Sequence, residues 1–400
     1  CLAAVGICGP IVTLLSSFGT LVGIGGSIWL SMCLGQKNEK RASQILYNSF
    51  VMLVVLSICL TLGFILLKHN LIYWFGGSDA LYPYANTYLT IYTLGTFFAL
   101  MSIGLNYFIT GQGYATIAML SVCIGAVTNI IFDFILIRTL KIGVAGAAIG
   151  TVVAQFLSCM FVLCFLRFKS KIKLHKEELS IEKMKHIVKL GFSPFLIIAS
   201  DSIILIVMNM MLQKYGGNMG DIYISAITVA QSYFLLITGP LLGISSGTQP
   251  IFAYHFGSQN LKKIKEAFKI VISFAFLFCL IMFIISMCYS NVFVAMFTND
   301  AMTMPIADRA IKIFCLGILM MSIQYVLVDG ITGLSNVKLS LFLSLNRKMM
   351  YLGCTCLLPA FLGVSNIFYA QPAADIYACI VTVVCFIKII PSYLKSHGVK

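Results

Sequence analysis

The residues of this sequence that could do chemistry are the aspartates within its apolar stretches. The chain has five glutamates, at positions 39, 177, 178, 182 and 266, and all lie in basic hydrophilic segments, so an acidic group inside an apolar run must be an aspartate. Asn129 precedes Asp133 by four residues, which places both side chains on one face of a helix, one turn apart. An amide oxygen and a carboxylate directed at one point suit a small hard cation, or a proton on a hydrogen-bonded carboxyl group. A hydrogen bond between Asp133 and a neighbouring helix is the simpler alternative.

Three more aspartates, Asp201, Asp329 and Asp375, lie within apolar runs or near their ends. A charged carboxylate in hydrocarbon costs at least a few kcal/mol, so each is expected to have a partner or a function. We take all three as candidates for an internal cavity. For Asp329 a solvated place at the end of its span explains the residue equally well, and for Asp375 a hydrogen bond near a helix end does. Gln249 is a fourth candidate, although a polar contact between helices explains it better.

The elements that carry these residues are predicted to be membrane helices. Of the 400 residues, 60% are hydrophobic and 10% are charged, where a soluble domain has about half and a quarter. Apolar runs of about 20 residues, enough to cross a bilayer as a helix, occur about eleven times, without the alternation of β-barrel strands. They cover residues 7–33, 46–67, 89–109, 115–137, 143–166, 190–212, 222–250, 270–295, 310–328, 337–362 and 367–391. We therefore expect an all-α polytopic membrane protein.

The net charge of +14 is a topological signal. Its basic residues concentrate in three segments, 37–41, 167–189 and 262–269, which are separated by even numbers of apolar runs. The positive-inside rule places all three in the cytoplasm. This distribution argues against a nucleic-acid partner. The 14 cysteines show no CxxC pair and no Cys/His ligand spacing, and we interpret them as small buried apolar residues.

An internal repeat divides the chain. Residues 25–46 and 247–268 match at an offset of 222 (247 − 25), with Gly35 on Gly257 and Asn38 on Asn260. We predict an N-terminal lobe at 1–168, a basic cytoplasmic linker at 169–188, which either forms a short surface helix or is solvated, and a C-terminal lobe at 189–400. The repeat partner of run 190–212 would precede residue 1. We therefore expect two six-helix lobes, arranged as parallel repeats, with the first helix missing and eleven present.

Several segments resemble the multidrug and toxic compound extrusion (MATE) family, most closely its prokaryotic DinF- and MepA-like branch. They are "GTQPIFAYHFGSQN", "GGSIWLSMCLGQKNEKRA", "TNIIFDFILI" followed by "GVAGAAIGT", "KLSLFLSLNRK" and "AQPAAD". Thr110 departs from the pattern, because many members have arginine there. The resemblance implies two lobes around a central cleft and the export of amphiphilic, often cationic, compounds in exchange for Na⁺ or H⁺.

The resemblance also implies a site and a setting. Asn129, Asp133 and Thr151 match the family's cation site in the N-terminal lobe, with Na⁺ or a proton at Asp133; a further aspartate ligand would lie on the missing first helix. No cofactor other than the coupling ion is expected. The implied partners are small organic cations and membrane lipid, and the implied setting is a monomer that crosses a bacterial inner membrane several times.

Other functions remain as alternatives. A flippase for lipid-linked oligosaccharides or peptidoglycan precursors could share the fold, but a pyrophosphate group calls for several cavity arginines, and only Arg347 lies near the interior of a span. An intramembrane enzyme is not favoured, because the sequence has no HExxH, GxSxG or GxxxxGK[ST] motif. Spacing alone does not exclude a receptor or a passive channel, although the duplicated lobes favour a transporter.

Overall fold

Every regular element in the structure, a computed structural model that describes residues 2–74, 82–297 and 300–398, is helical. The helices are α1 (Leu2–Gly35), α2 (Glu39–Trp74), α3 (Tyr82–Leu94), α4 (Thr96–Gly111), α5 (Ala115–Asp133), α6 (Val144–Phe168), α7 (Ile181–Gly216), α8 (Gly220–Gly247), α9 (Gln249–Gly257), α10 (Leu261–Phe297), α11 (Thr303–Cys315), α12 (Ile318–Gly333), α13 (Val337–Leu362) and α14 (Ala370–Ser396). A π-helical turn at Phe134–Thr139 and 3₁₀ turns at Gly217–Met219 and Val364–Tyr369 complete the set. The predicted all-α fold is confirmed.

The helices of the described residues are long and apolar enough for a multi-pass membrane protein. Seven helical segments meet that condition, or up to nine if each bent pair counts as one span; the pairs are α3 with α4, bent by 55°, and α11 with α12, bent by 47°. Two further helices, α7 with 36 residues and α13 with 26, are not among these segments but exceed about 20 residues, the length that crosses a bilayer. Eleven spans and their arrangement as parallel repeats stay a prediction.

The chain forms two compact units, Cys1–Ala199 and Ser200–Lys400. The division falls inside α7, so the first part of this helix belongs to unit 1 and the rest to unit 2. Within unit 1, α7 packs closely on α1, because Gly25 and Gly191 have no side chains to separate the backbones: a Cβ at Gly191 would overlap the carbonyl oxygen of Leu21. The predicted lobe boundaries, 168 and 189, stay a prediction.

The segment between α6 and α7, residues 169–180, packs against other parts of unit 1. Gln112 fixes one point of it: the backbone N–H of Ile172 donates to Gln112 Oε1 at 2.7 Å, and Gln112 Nε2 donates to the Ile172 carbonyl at 3.3 Å. Asn48 fixes another, donating to the Glu178 carbonyl at 2.9 Å and accepting from the Ser180 N–H at 2.8 Å. The helix expected within this linker is the beginning of α7 itself, and the residues before it are held by side-chain amides.

Candidate cation site

Two glycines of α6 allow the end of α5 to come close. α5 ends at Asp133, and the π-helical turn follows directly; such turns occur frequently at functional sites. A Cβ at Gly146 would lie 3.0 Å from Leu136 Cβ, and a Cβ at Gly150 would collide with Asp133 Oδ1. The "GAAIG" segment therefore presents a bare backbone face on which the carboxylate of Asp133 lies.

The structure brings Asn129, Asp133 and Thr151 together. Thr151 follows Gly150 in α6, and Asn129 Nδ2 donates to Thr151 Oγ1 at 3.4 Å. The threonine hydroxyl in turn donates to the Ala147 carbonyl at 2.9 Å. Asp133 Oδ1 is buried and has no hydrogen-bond partner among the described residues. A buried carboxylate oxygen without a hydrogen-bond donor destabilises the protein. Binding of a proton or a cation at that oxygen offsets this cost.

Two tyrosines of α3 extend this polar group. The hydroxyl of Tyr88 interacts with Thr151 and lies within electrostatic range of Asp133. The hydroxyl of Tyr92 accepts from Gln155 Nε2 at 3.1 Å. Sequence reasoning missed both residues. The chain has 18 tyrosines, and only the spacing of one helical turn distinguishes this pair from the others.

A cavity of about 390 Å³ lies beside the site, between α4, α5 and α6. Its wall includes Asn129, Thr151 and Gln155, together with Asn106 and Ser158. The buried Gln155 Oε1 has no hydrogen-bond partner among the described residues. Oxygen ligands, an unpaired carboxylate and adjoining space together form an arrangement that can hold a small cation.

A buried ion pair lies in unit 2. Arg347 Nη2 lies 2.7 Å from Asp375 Oδ1, and Arg347 Nε donates to the same oxygen at 2.9 Å. Gln371 Nε2 donates to Asp375 Oδ2 at 2.9 Å, so both carboxylate oxygens are satisfied. Asp375 is fully buried and Arg347 is 7% exposed, while the ring of Tyr325 lies 5.1 Å from the guanidinium carbon. Asp375 is therefore part of an internal ion pair.

The residue after Arg347 has a partner too. Lys348 forms an ion pair with Asp201, whose side chain is 60% exposed while that of the lysine is 10% exposed. Sequence reasoning identified Asp201 as a cavity candidate but missed Lys348, which is 147 residues away. Of this pair, the carboxylate is the member that solvent or a ligand can reach.

Gln249 and Asp329 contact each other. Gln249 Nε2 donates to Asp329 Oδ1 at 2.8 Å, and the amide is 2% exposed. The Ser245 side chain also lies near the Asp329 carboxylate. A Cβ at Gly333 would lie 2.7 Å from the Gln249 carbonyl oxygen, so α9 and α12 approach closely here. This geometry favours the polar contact between helices that was the simpler explanation for Gln249.

Comparison with known proteins agrees with this architecture. The family profile described as MatE matches residues 1–135 and 198–348. The chain belongs to the MatE family. A relative from Staphylococcus haemolyticus, named multidrug export protein MepA, is 24% identical over 382 residues, which cover 94% of this chain and 82% of the relative. The protein of the same name from Staphylococcus aureus (strain MRSA252) is 22% identical, with the same coverage.

Solved structures share the fold. The outward-facing conformation of a multidrug resistance MATE family transporter of the MOP superfamily matches with a TM-score of 0.92 and 23% identity, over 99% of this chain and 89% of the other. A MOP superfamily transporter from Pyrococcus furiosus, described as having a binding pocket of reverse polarity that suggests a different function, matches with a TM-score of 0.93 and 22% identity, over 98% of this chain and 88% of the other. The second example illustrates that this fold does not determine the substrate.

Proposed function

We propose that this protein is a secondary active antiporter that exports amphiphilic, often cationic, compounds across the bacterial plasma membrane in exchange for Na⁺ or H⁺. The observation that carries the proposal is the buried, unpartnered Oδ1 of Asp133 beside Asn129 and Thr151. Relatives that cover 94% of the chain are named multidrug export proteins, which supports the class of substrate.

The three side chains have separate roles in this proposal. Asp133 supplies the charge that a coupling ion neutralises, and its buried oxygen is the primary ligand. Thr151 and Asn129 supply neutral oxygens for a Na⁺ ion, or hydrogen bonds to a protonated carboxyl. Because Na⁺ and H⁺ neutralise the same group, each excludes the other. Gly150 keeps the backbone of α6 out of the volume that the carboxylate needs.

Coupling requires that the ion and the substrate favour different states of the transporter. A ligand shifts a conformational equilibrium only by its differential affinity for the two states. We propose that an empty, charged Asp133 favours the state that binds substrate, and that a neutralised Asp133 favours the return state. The protein acts as a monomer in this scheme, since one copy of the chain carries both the ion site and the cavity beside it.

The test is ethidium efflux from right-side-out vesicles that contain the protein, with Na⁺ and pH gradients imposed separately. Wild type is compared with Asp133→Asn, which keeps the size of the side chain and removes its charge. Glu182→Gln is the matched control, because this exposed glutamate at the start of α7 undergoes the same chemical change. Efflux driven by one gradient, lost in Asp133→Asn and kept in Glu182→Gln, supports the antiporter and identifies its ion. Equal efflux by Asp133→Asn and wild type contradicts it.

The flippase alternative is not favoured. The guanidinium of Arg347 is occupied by Asp375, and the ammonium of Lys348 by Asp201. Binding a pyrophosphate group would therefore require breaking the buried Arg347 pair, which is costly, and displacing Asp201 from Lys348.

A further inference from the structure

The first turns of α2 and α10 are repeat-related but have different surroundings. At the offset of 222, Ser43, Gln44 and Asn48 of α2 correspond to positions 265, 266 and 270 of α10. Ser43 and Asn48 are 7% and 0% exposed. The Ser43 and Asn48 side chains contact the segment that connects α6 to α7, and Gln44 contacts the first turn of α7.

In these contacts, residues between the end of α6 and the first turn of α7 cover this surface of α2 and supply charges opposite to its own. Ser43 Oγ lies 3.3 Å from His175 Nε2, and Lys183 Nζ donates to Gln44 Oε1 at 2.6 Å. At the first residue of the helix, Glu39 forms an ion pair with Lys171 at 2.9 Å. This face of α2 is thus covered by other residues of unit 1.

The corresponding face of α10 is open and basic. Lys262, Lys265 and Lys269 are all exposed and have no hydrogen-bond or ion-pair partner among the described residues. Their spacing of three and four residues places them on one side of the helix. The one acidic residue of positions 261–269, Glu266, forms an ion pair with the neighbouring Lys263 at 2.9 Å.

This arrangement is unfavourable for the isolated protein. The amino end of a helix carries a partial positive charge, so lysines in its first turns are repelled by it and by one another. α2 begins with a glutamate, whereas α10 begins with Leu261 and two lysines. An external anion bound to these lysines would reduce this repulsion.

The position of the lysines on α10 identifies the source of that anion. Further along the helix the exposed residues become apolar: Ile270 and Phe274 are each 60% exposed, and Leu277 is 54% exposed. An exposed apolar stripe on a membrane helix faces lipid tails. The lysines directly precede this stripe, about 10 Å along the helix from Lys262 to Lys269, which is the level of the lipid headgroups.

We propose that the exposed face formed by Lys262, Lys265 and Lys269, here called the α10 lysine face, binds the headgroups of anionic membrane lipids. The apolar stripe that directly follows these lysines on α10 places them beside the headgroups of the lipids whose tails it contacts. By the positive-inside rule this face lies in the cytoplasmic leaflet.

The test measures lipid binding by the purified full chain in detergent, using fluorescent phosphatidylglycerol and phosphatidylcholine as probes. Wild type is expected to bind phosphatidylglycerol more tightly, with an affinity that falls as salt rises. Replacing all three lysines by glutamine should weaken phosphatidylglycerol binding on the order of 100-fold, since each lysine near an anionic surface contributes about fivefold. Phosphatidylcholine binding should stay the same.

Two matched variants sharpen the result. Lys262→Arg/Lys265→Arg/Lys269→Arg keeps the charge and should keep the binding, and it still decides the question if the glutamine variant does not fold. Lys173→Gln/Lys176→Gln/Lys185→Gln removes three exposed lysines from unit 1 and should stay within about twofold of wild type, because those lysines lie outside the α10 lysine face.

Two outcomes overturn the proposal. In one, the glutamine variant of the α10 lysine face binds phosphatidylglycerol as tightly as wild type. In the other, inorganic phosphate displaces the lipid at equal concentration, which would mean that the face binds soluble anions. Neither measurement involves transport, so the result is independent of whether the protein is an antiporter.

Discussion

The two units differ in whether their internal carboxylates have side-chain partners. In unit 1, Asp133 has a buried oxygen without any partner among the described residues. In unit 2, the carboxylates of Asp201, Asp329 and Asp375 each have a side-chain partner. An interior whose carboxylates already have partners is stable as it is. An interior with one unpaired carboxylate is complete only when a mobile ion or proton arrives, and this difference is why the coupling site is proposed in unit 1.

The largest expected effect is on the stability of unit 2. Asp375→Ala leaves the guanidinium of Arg347 buried without its anion, and breaking a buried pair in this way costs about 3–5 kcal/mol. The folded yield and the Tm of the purified protein should both fall sharply. In Asp375→Ala/Arg347→Leu, which removes both charges, part of the loss should be recovered. A single variant as stable as wild type would mean that the pair does not stabilise the fold.

The matching change in unit 1 should have the reverse pattern. Asp133→Asn removes an unpaired charge, so the Tm is expected to stay the same or rise. Gradient-driven efflux should fall on the order of 100-fold, because the coupling free energy between ion and substrate is lost. Thermal unfolding and efflux are measured on the same preparation. A large drop in Tm would show that Asp133 has a structural partner, and the contrast between the units would fail.

A smaller effect is expected from Gly150→Ala. The added Cβ would collide with Asp133 Oδ1 and displace the carboxylate from its place against α6. The apparent affinity for the coupling ion should fall about tenfold, as for other changes that misplace a ligand. Gly63→Ala in α2 is the control, because a Cβ there meets nothing within 4 Å. Ion titrations of efflux distinguish the two variants, and equal affinities would exclude the packing role of Gly150.

The smallest effect concerns Lys348 and Asp201. The carboxylate is 60% exposed, so the pair is screened by solvent and should contribute about 1 kcal/mol or less. A double-mutant cycle with Asp201→Asn and Lys348→Met measures the interaction free energy from thermal unfolding. An interaction free energy near that of the Arg347–Asp375 pair would mean that Asp201 is shielded from solvent. The two ion pairs of unit 2 would then stabilise it equally.

Part of the candidate site could be predicted from local sequence. Asn129 and Asp133 share a helix face because the helical period fixes what lies four residues apart. Thr151 could be assigned only through the resemblance to a family, since nothing in the spacing links it to α5. Tyr88 and Tyr92 could not be selected among so many aromatic residues. The pairing of Asp375 with Arg347, 28 residues apart on different helices, has no local signal at all.

The connecting segment shows the same limit for the fold. Its basic composition predicted a cytoplasmic linker with a short helix or a solvated chain. In the structure Gln112 and Asn48 hold it against unit 1, and the helical part is continuous with α7. A single side-chain amide that pairs with a distant backbone leaves no periodic pattern, so only the packed structure reveals it.

The sequence by itself determined that this is a helical membrane protein, because the number and length of apolar runs leave no other way to satisfy backbone hydrogen bonds in lipid. It also determined that any carboxylate inside an apolar run had to belong to an aspartate. Only the tertiary structure decided which of those aspartates has a partner. That outcome depends on which helices pack together and how closely, as where Gly150 admits the carboxylate of Asp133 and where α13 brings Arg347 to Asp375.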